Sequence, residues 1–513
     1  LHRARGVGSL YQPGELRAFE FHQAGQTIGR SWSRYDGETA DGNHRFSTRV
    51  ELTPPKGEVL RSASEIVVDD HGRLISGFER SAAAQLQFNV SADRLEMAAF
   101  TGLPVQERET LKFGPEAAFV GYMATIHQEI MFATRDLHRG EQGWRLIFLS
   151  SGRPHEWDAT VSPEGDGLRV RTSLGESIFF ENQRIMHVRV ADDDLEVTVN
   201  DDGRWPLWAI ETPRALVYVP STNAKFVRRS LELTGRENEP RLAGEVLLPT
   251  ELERGAQRPG ILFLGGGSPA DRYGFAGPPA VDLGFHEITD ALAQAGFVVL
   301  RYDERGLGES EAAEMTWTGQ REDARRALRM LLVQPEVDPD QIVVVGHGEG
   351  GWRALQLAAE RPDEVVGVAL LAAPGRGYRA IFARHPGLLA SIEKGQGLPP
   401  NLALHREWYR QILKVDPSKL VRDVRCPIWI AQGDKDFEVD ALVATEHWRR
   451  AVRKHHTVHE IARFEMLDHI FKSEHGESSF TSYLADRPVD SEFLGSLIDW
   501  VEARTKSTPG NPR

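Results

Sequence analysis

Four short stretches in the second half of the 513-residue chain hold groups that could do chemistry. Val343-Val344-Val345-Gly346-His347-Gly348-Glu349-Gly350-Gly351 breaks from a β-branched run into a glycine-rich turn and then opens a helix. Gly265-Gly266-Gly267-Ser268-Pro269-Ala270-Asp271-Arg272 is a second glycine-rich loop. Gln432-Gly433-Asp434-Lys435-Asp436-Phe437-Glu438-Val439 closes a strand with carboxylates, and Leu467-Asp468-His469-Ile470-Phe471 presents a histidine. Backbone N–H groups of such turns, one of them at a helix N-terminus, can meet a developing oxyanion without reorganising. An imidazole serves such a reaction when a carboxylate fixes its tautomer and stabilises its protonated form. Gly348, at the centre of the turn, has no side chain and so offers no nucleophile of its own.

These groups need a frame, and the surrounding pattern supplies one. Residues 342–345 form the continuous apolar run of a strand buried on both faces of a parallel sheet, with Asp338, Pro339 and Asp340 as punctuation ahead of it. Ala354, Leu355, Leu357 and Ala358 give the next helix an apolar face before Pro362 ends it. Two opening strands are expected over 226–233 and 241–248, and from Gly260 strands alternate with helical stripes. The strands fall at 261–264, 297–302, 365–371, 428–431 and 460–464. Helical stripes run over 288–295, through Ala324, Ala327, Leu328 and Leu331, and through Phe493, Leu497 and Trp500, ahead of a frayed tail over 506–513. This is the order of a doubly wound α/β domain. An insertion over 375–416, with Pro386, Gly395, Gly397, Pro399 and Pro400 and a helical stretch near 405–413, interrupts it. Ligands bind beyond the carboxyl ends of parallel strands, so the insertion reads as a lid or substrate wall.

The strand, turn and helix around Gly348 resemble the nucleophile elbow of α/β-hydrolases, Gly-x-Ser-x-Gly, with Gly348 at the serine position. The resemblance covers about 226–505. Its most specific part is Arg301-Tyr302-Asp303-Glu304-Arg305-Gly306-Leu307-Gly308-Glu309-Ser310. That segment is similar to Arg-Tyr-Asp-x-Arg-Gly-x-Gly-x-Ser of serine esterases related to the prolyl-oligopeptidase and dienelactone-hydrolase branches. The 265–272 loop is similar to that branch's His-Gly-Ser-Gly-Pro-x-Asp-Arg, with Gly265 in place of histidine and Ser268 in place of glycine. The resemblance implies an oxyanion hole built from the N–H of Gly266 or Gly267 and that of Glu349. It also implies Asp436 as the acid, with Asp434 the weaker choice, and His469 as the base, in the fold's chain order of nucleophile, acid and base. His347 reads as a packing residue of the elbow. His455, His456 and His459 read as a polar stretch and not a metal cluster.

Three readings of Gly348 stay open. A serine hydrolase carries an inactivating Ser→Gly change; or glycine is native and the His–Asp pair acts without a covalent step, in a cyclase, lyase or hydrolase reaction; or the pocket binds a ligand without chemistry. The expected partner is a small carbonyl compound, an ester, thioester, lactone or amide, with no cofactor or metal required.

From about 19 to 212 the chain shows short alternating strands, clearest at 45–52, 64–68, 74–78, 86–90, 168–172, 186–190 and 195–199. Asp36-Gly37, Asp70-His71-Gly72 and Asp202-Gly203 supply turn signals, and Asp192-Asp193-Asp194 reads as a solvated turn. No long helical stripe interrupts them, so a β-sandwich or a strongly curved antiparallel sheet is expected. Its histidines, His22, His44, His71, His127, His138, His155 and His187, lack metal-ligand spacing and read as structural or surface residues. Pro206, Pro213, Pro220 and Ser221-Thr222-Asn223 mark the connection, giving a β-rich domain over 1–220 and a hydrolase-like domain over 221–513.

A net charge of −14 argues against nucleic-acid and anionic-membrane partners. The single cysteine, Cys426, excludes an intrachain disulfide and a cysteine metal cluster and reads as a small core residue. No apolar run approaches the roughly 18 residues of a membrane span, as expected of a soluble protein. Leu1-His2-Arg3 is no signal peptide, and a start without methionine reads as a processed or trimmed chain whose export signal could have been lost. The pattern assigns neither compartment nor oligomeric state.

Overall fold

The computed structural model describes residues 3–505 apart from 54–58, 92–93, 103–106, 113–117, 121–123, 149–152, 174, 191–193, 201–202, 211–213, 236–238, 267–268, 278–279, 384–385, 395–404, 456 and 477. The chain forms two compact units, one of Leu1–Ala215 with Pro278–Ala280 and one of Leu216–Gly277 with Val281–Arg513.

The first unit is built on one sheet, with fifteen strands among the described residues. The strand Leu16–Gln23 pairs with Gln26–Glu38 on one side and Leu195–Val199 on the other, and successive hairpins continue outward from both. All pairs are antiparallel except Ala118–Val120 with Gly140–Phe148. The helix Thr125–Ala133 supplies Ile126 and Ile130 to a cluster with Phe46, Ile66 and Phe88, and Met131 and Phe132 to a cluster with Phe19, Val170 and Phe180. One helix therefore serves two apolar clusters of the one sheet, and no second sheet makes a sandwich among the described residues. The pattern hid this helix because it has no polar face: eight of its nine residues are buried. Its buried Glu129 accepts hydrogen bonds from Arg17 at 2.9 Å, Tyr11 at 3.1 Å and the Ile185 N–H at 2.8 Å.

Asp36-Gly37 is not a turn but a bulge inside Gln26–Glu38, where Gly37 takes a φ of 109°. Asp192, Asp193 and Asp202 lie outside the described residues. His22 bonds to Thr198, His44 to Tyr35, and His187 to Glu196, all partners within this unit.

The second unit is an eight-stranded sheet. Numbered in chain order as Phe226–Leu233, Leu242–Pro249, Arg258–Leu264, Val298–Tyr302, Val337–His347, Val365–Leu371, Ile428–Gly433 and His459–Phe464, its strands run 1-2-4-3-5-6-7-8; the second is antiparallel to both neighbours, and the third to the eighth pair in parallel. The apolar run around the elbow alternates between the two faces as a doubly covered strand must. Val344 joins the core under the helices Trp317–Leu332 and Glu349–Glu360, and Val343 and Val345 join the core under Phe285–Gln294 and Ser491–Thr505. Helix starts are capped where the sequence offers a short polar side chain: Thr316 accepts the Gly319 N–H and Asp440 the Val443 N–H. Cys426 is buried, as expected of a core residue. The insertion contributes the helices Tyr378–Phe382, Pro386–Lys394, Arg406–Ile412 and Pro417–Leu420, while Gly395, Gly397, Pro399 and Pro400 lie outside the described residues. Among the described residues no helix is long and apolar enough to cross a membrane.

Candidate active site

The candidate residues stand at the carboxyl ends of four parallel strands, Arg258–Leu264, Val337–His347, Ile428–Gly433 and His459–Phe464, with Val365–Leu371 between the second and third. Gly348 follows Val337–His347 and adopts φ 54° and ψ −127°, a conformation that strains any residue bearing a Cβ. Its N–H donates to Leu371 O at 2.9 Å, which fixes the turn against the next strand. The helix begins at once with Glu349, so the first free N–H groups and the positive end of the helix dipole lie beside Gly348.

Gly266 follows the strand Arg258–Leu264 and packs directly on this helix start: a Cβ there would lie 2.9 Å from Glu349 N and closer still to Gly350 N. The two backbone stretches expected to form an oxyanion hole are thus neighbours. Gly267 and Ser268 lie outside the described residues.

Asp436 and His469 come from the loops after Ile428–Gly433 and His459–Phe464, which are paired strands. His469 Nδ1 lies 2.7 Å from Asp436 Oδ2. The other oxygen of Asp436 accepts the N–H groups of Glu438 and Val439, both at 2.8 Å, and Gln432 donates to Oδ2 at 2.7 Å. Asp434 points elsewhere and pairs with Arg463 at 2.8 Å. Asp468, next to His469 in the chain, accepts the N–H groups of Ile470 and Lys472 and pairs with Arg487, so the loop bearing His469 is internally braced.

The electrostatics of this cluster are anionic. Burial acts to lower the pKa of His469, but the carboxylates of Asp436, Glu438 and Glu349 outweigh it and push the imidazole up to about 10. Glu438 lies 3.8 Å from His469 Nε2 and accepts from the Tyr483 hydroxyl at 2.8 Å. Glu349 is buried, with one carboxyl oxygen lacking a partner and its own backbone N–H on the carboxyl; burial raises its pKa. Burial also raises the phenol of Tyr409, helped by the charge of Glu349, which puts the insertion helix Arg406–Ile412 within electrostatic reach of the elbow. Tyr378, Trp408 and Tyr409 of the insertion form an edge-packed aromatic group against Trp352 of the elbow helix.

The Arg301–Ser310 segment, the strongest motif, builds the frame and not the chemistry. Arg301 pairs with Glu245 at 2.7 Å, and Arg305 with Asp323 at 2.7 Å. Asp303 takes both the side chain and the N–H of Arg272, each at 2.7 Å. Glu304 pairs at 2.5 Å with Arg353 of the elbow helix, whose guanidinium also donates to the carbonyl of Gly265. Arg353 thereby ties the elbow helix to the glycine-rich loop. Sequence reasoning missed Arg353 and Glu438, since a lone charge on a helix or in a loop ordinarily reads as solvated; the i,i+4 spacing of Arg353 from Glu349 was the available signal.

Of the upstream histidines, His459 bonds to Thr457 O, His455 caps a helix, and His456 lies outside the described residues. A different trio, Asp282, His286 and Glu287, brings its ligand atoms within 4.8 Å. The Lys472 ammonium, 3.9 Å from Glu287 and donating to Asp282 O at 2.9 Å, already supplies positive charge there.

Strand order, elbow and helix placement define the second unit as an α/β-hydrolase fold. Residues 283–398 match the family model described as serine aminopeptidase, S33. A protein named as an esterase, NocK of Nocardia uniformis subsp. tsuyamanensis, is 34% identical over 160 residues, which are 30% of this chain and 43% of that protein. The chain thus spans less than half the length of this curated relative. Among solved structures, an esterase of Pyrococcus furiosus aligns at 16% identity over 57% of this chain and 97% of its own, with a TM-score of 0.40. Est1E of Butyrivibrio proteoclasticus, with ferulic acid bound, aligns at 15% identity over 53% and 96%, with a TM-score of 0.37.

Proposed function

We propose that the second unit carries the machinery of an ester-acting hydrolase in which His469, oriented by Asp436, handles protons at the position of Gly348. The backbone N–H of Glu349 and that of Gly266 or Gly267 receive the carbonyl oxygen of the substrate. The observation that carries this reading is the 2.7 Å His469–Asp436 hydrogen bond at the ends of two paired strands of this sheet. The substrate is a small carbonyl compound, an ester before a thioester, lactone or amide. The aromatic group of the insertion forms one wall for it.

Gly348 cannot form an acyl-enzyme, so covalent turnover needs a hydroxyl at that position. The positive φ of the turn supports a serine-hydrolase frame whose nucleophile has been replaced. The pKa of His469, held at about 10, does not choose between the readings, because an imidazolium is as poor a base toward a serine hydroxyl as toward water. The competing non-covalent reading draws on Glu438, 3.8 Å from Nε2, as a second proton-carrying group in place of a hydroxyl.

Treating the chain and its Gly348→Ser variant with a fluorophosphonate probe, then mapping the adduct by mass spectrometry, tests the frame. The hydroxyl oxygen attacks phosphorus and fluoride leaves, while His469 takes the proton. Labelling confined to the variant, on the peptide carrying position 348, is the expected result. An unlabelled variant that still folds would remove the serine-hydrolase frame, leaving either the non-covalent enzyme or a ligand-binding protein.

A further inference from the structure

The last residue of the elbow strand, His347, is 2% exposed, and both of its ring nitrogens face backbone carbonyls. Nε2 lies 2.9 Å from the carbonyl oxygen of His469, 122 residues away in sequence. Nδ1 lies 3.5 Å from the carbonyl oxygen of Gly266. The ring also meets the His469 ring edge to face, with centroids 4.7 Å apart, and has Phe285 on another side at 5.1 Å. One side chain therefore touches the base residue through both its backbone and its ring, and reaches the oxyanion loop from the strand that carries the elbow.

A neutral imidazole has one N–H, and two carbonyls compete for it. The 2.9 Å contact takes the proton, which sets the Nε2–H tautomer and leaves Nδ1 without a donor for Gly266. Burial and the neighbouring charge of His469 hold His347 down to about 4, in keeping with a neutral ring. The carbonyl of His469 has no role in the His469–Asp436 hydrogen bond, so nothing in that pair itself fixes the height of the base above the sheet.

We infer that His347 is a positioning residue: by donating Nε2–H to the His469 carbonyl it sets the base loop in register with the elbow and the oxyanion loop. The inference rests on the reading of His469 as the base. A packing residue of the same volume would fill the space without fixing the register. Displacement of a catalytic group by about 1 Å costs on the order of 10²-fold in rate.

The test uses His347→Phe, which keeps the ring and loses the donor, and His347→Gln, whose amide N–H can reach the His469 carbonyl. Two readouts apply. The first is the low-field proton resonance of the His469–Asp436 hydrogen bond in the otherwise unchanged chain, which needs no turnover. The second is kcat and KM for 4-nitrophenyl acetate in the Gly348→Ser background. The expected result is a broadened or lost resonance in His347→Phe and its recovery in His347→Gln. With it comes a kcat lower by about 10- to 100-fold in His347→Phe, with KM changed less than about threefold. A sharp, unshifted resonance in His347→Phe, or an equal loss in both variants, would overturn the inference. If His347→Phe does not fold, His347→Gln decides alone: an unchanged resonance supports the donor role and a lost one refutes it. Failure of the parent reading is distinguishable, because activity surviving His469→Ala removes the base whatever His347 does.

Discussion

Two aspartates two residues apart are sorted by their partners: Asp436 holds His469 Nδ1 at 2.7 Å, while Asp434 pairs with Arg463 at the surface. The sorting is what the strand end dictates, since Gly433 closes the strand and the chain must turn before a side chain can reach across to the next loop. In the Gly348→Ser background, Asp436→Asn is expected to lower kcat by about 10⁴-fold through loss of the imidazole's tautomer and charge partner. Asp434→Asn leaves kcat unchanged and costs at most about 1 kcal/mol in denaturant unfolding, the worth of an exposed ion pair.

The pKa of His469 makes a signed prediction. Its base form appears only as pH approaches about 10, so His469-dependent ester hydrolysis climbs through the alkaline range and is flat in His469→Ala. Stability moves the opposite way. The folded value stands above the ordinary histidine value near 6.5, so the stabilisation is complete below about pH 6.5 and is lost as pH rises through about 10. His347 has the reverse sign: held at about 4, it costs stability as pH falls from about 6.5 toward 4. Unfolding free energies across this range, compared between the chain, His469→Gln and His347→Gln, should show the two limbs separately.

Arg353 is the residue whose loss should damage the frame most. Arg353→Met leaves the Glu304 carboxylate and the Gly265 carbonyl without their cation, at a cost of about 3–5 kcal/mol. Arg353→Lys, which keeps charge but not the fork, falls between. Thermal unfolding of both variants checks the order, and equal stability of all three chains would show that the pair is dispensable.

Much of the second unit was legible because its strands are buried on two faces and its helices on one, so apolar period and chain order carry the fold. The pairing of His469 with Asp436, expected from a resemblance, is present, each residue in a short loop after a strand. What escaped has separate physical causes, a register shift in one strand and buried polar groups elsewhere. Asp338, Pro339 and Asp340 look like an interruption, yet the strand spans Val337–His347, with a register shift opposite Pro259 and Gly260 absorbing them. The helix Thr125–Ala133 is buried around nearly its whole circumference, with Thr125, His127 and Glu129 inside beside its apolar residues, and leaves no clean apolar stripe to detect. Arg301, Arg305 and Glu304 carry the most specific motif but serve as buried ion pairs, because a motif records that residues are required and not whether they touch substrate.

The central claim, that Gly348 stands in a nucleophile elbow served by His469 and Asp436, is tested most directly by kcat/KM for 4-nitrophenyl acetate in three chains. These are the present chain, Gly348→Ser, and Gly348→Ser with His469→Ala. Since loss of a catalytic serine costs up to about 10⁶-fold and leaves a residue of catalysis from the oxyanion hole, the serine variant should gain at least about 10³-fold over the present chain. The added His469→Ala change should return it to the starting level. A serine variant no faster than the present chain, or one whose rate survives His469→Ala, would contradict the account.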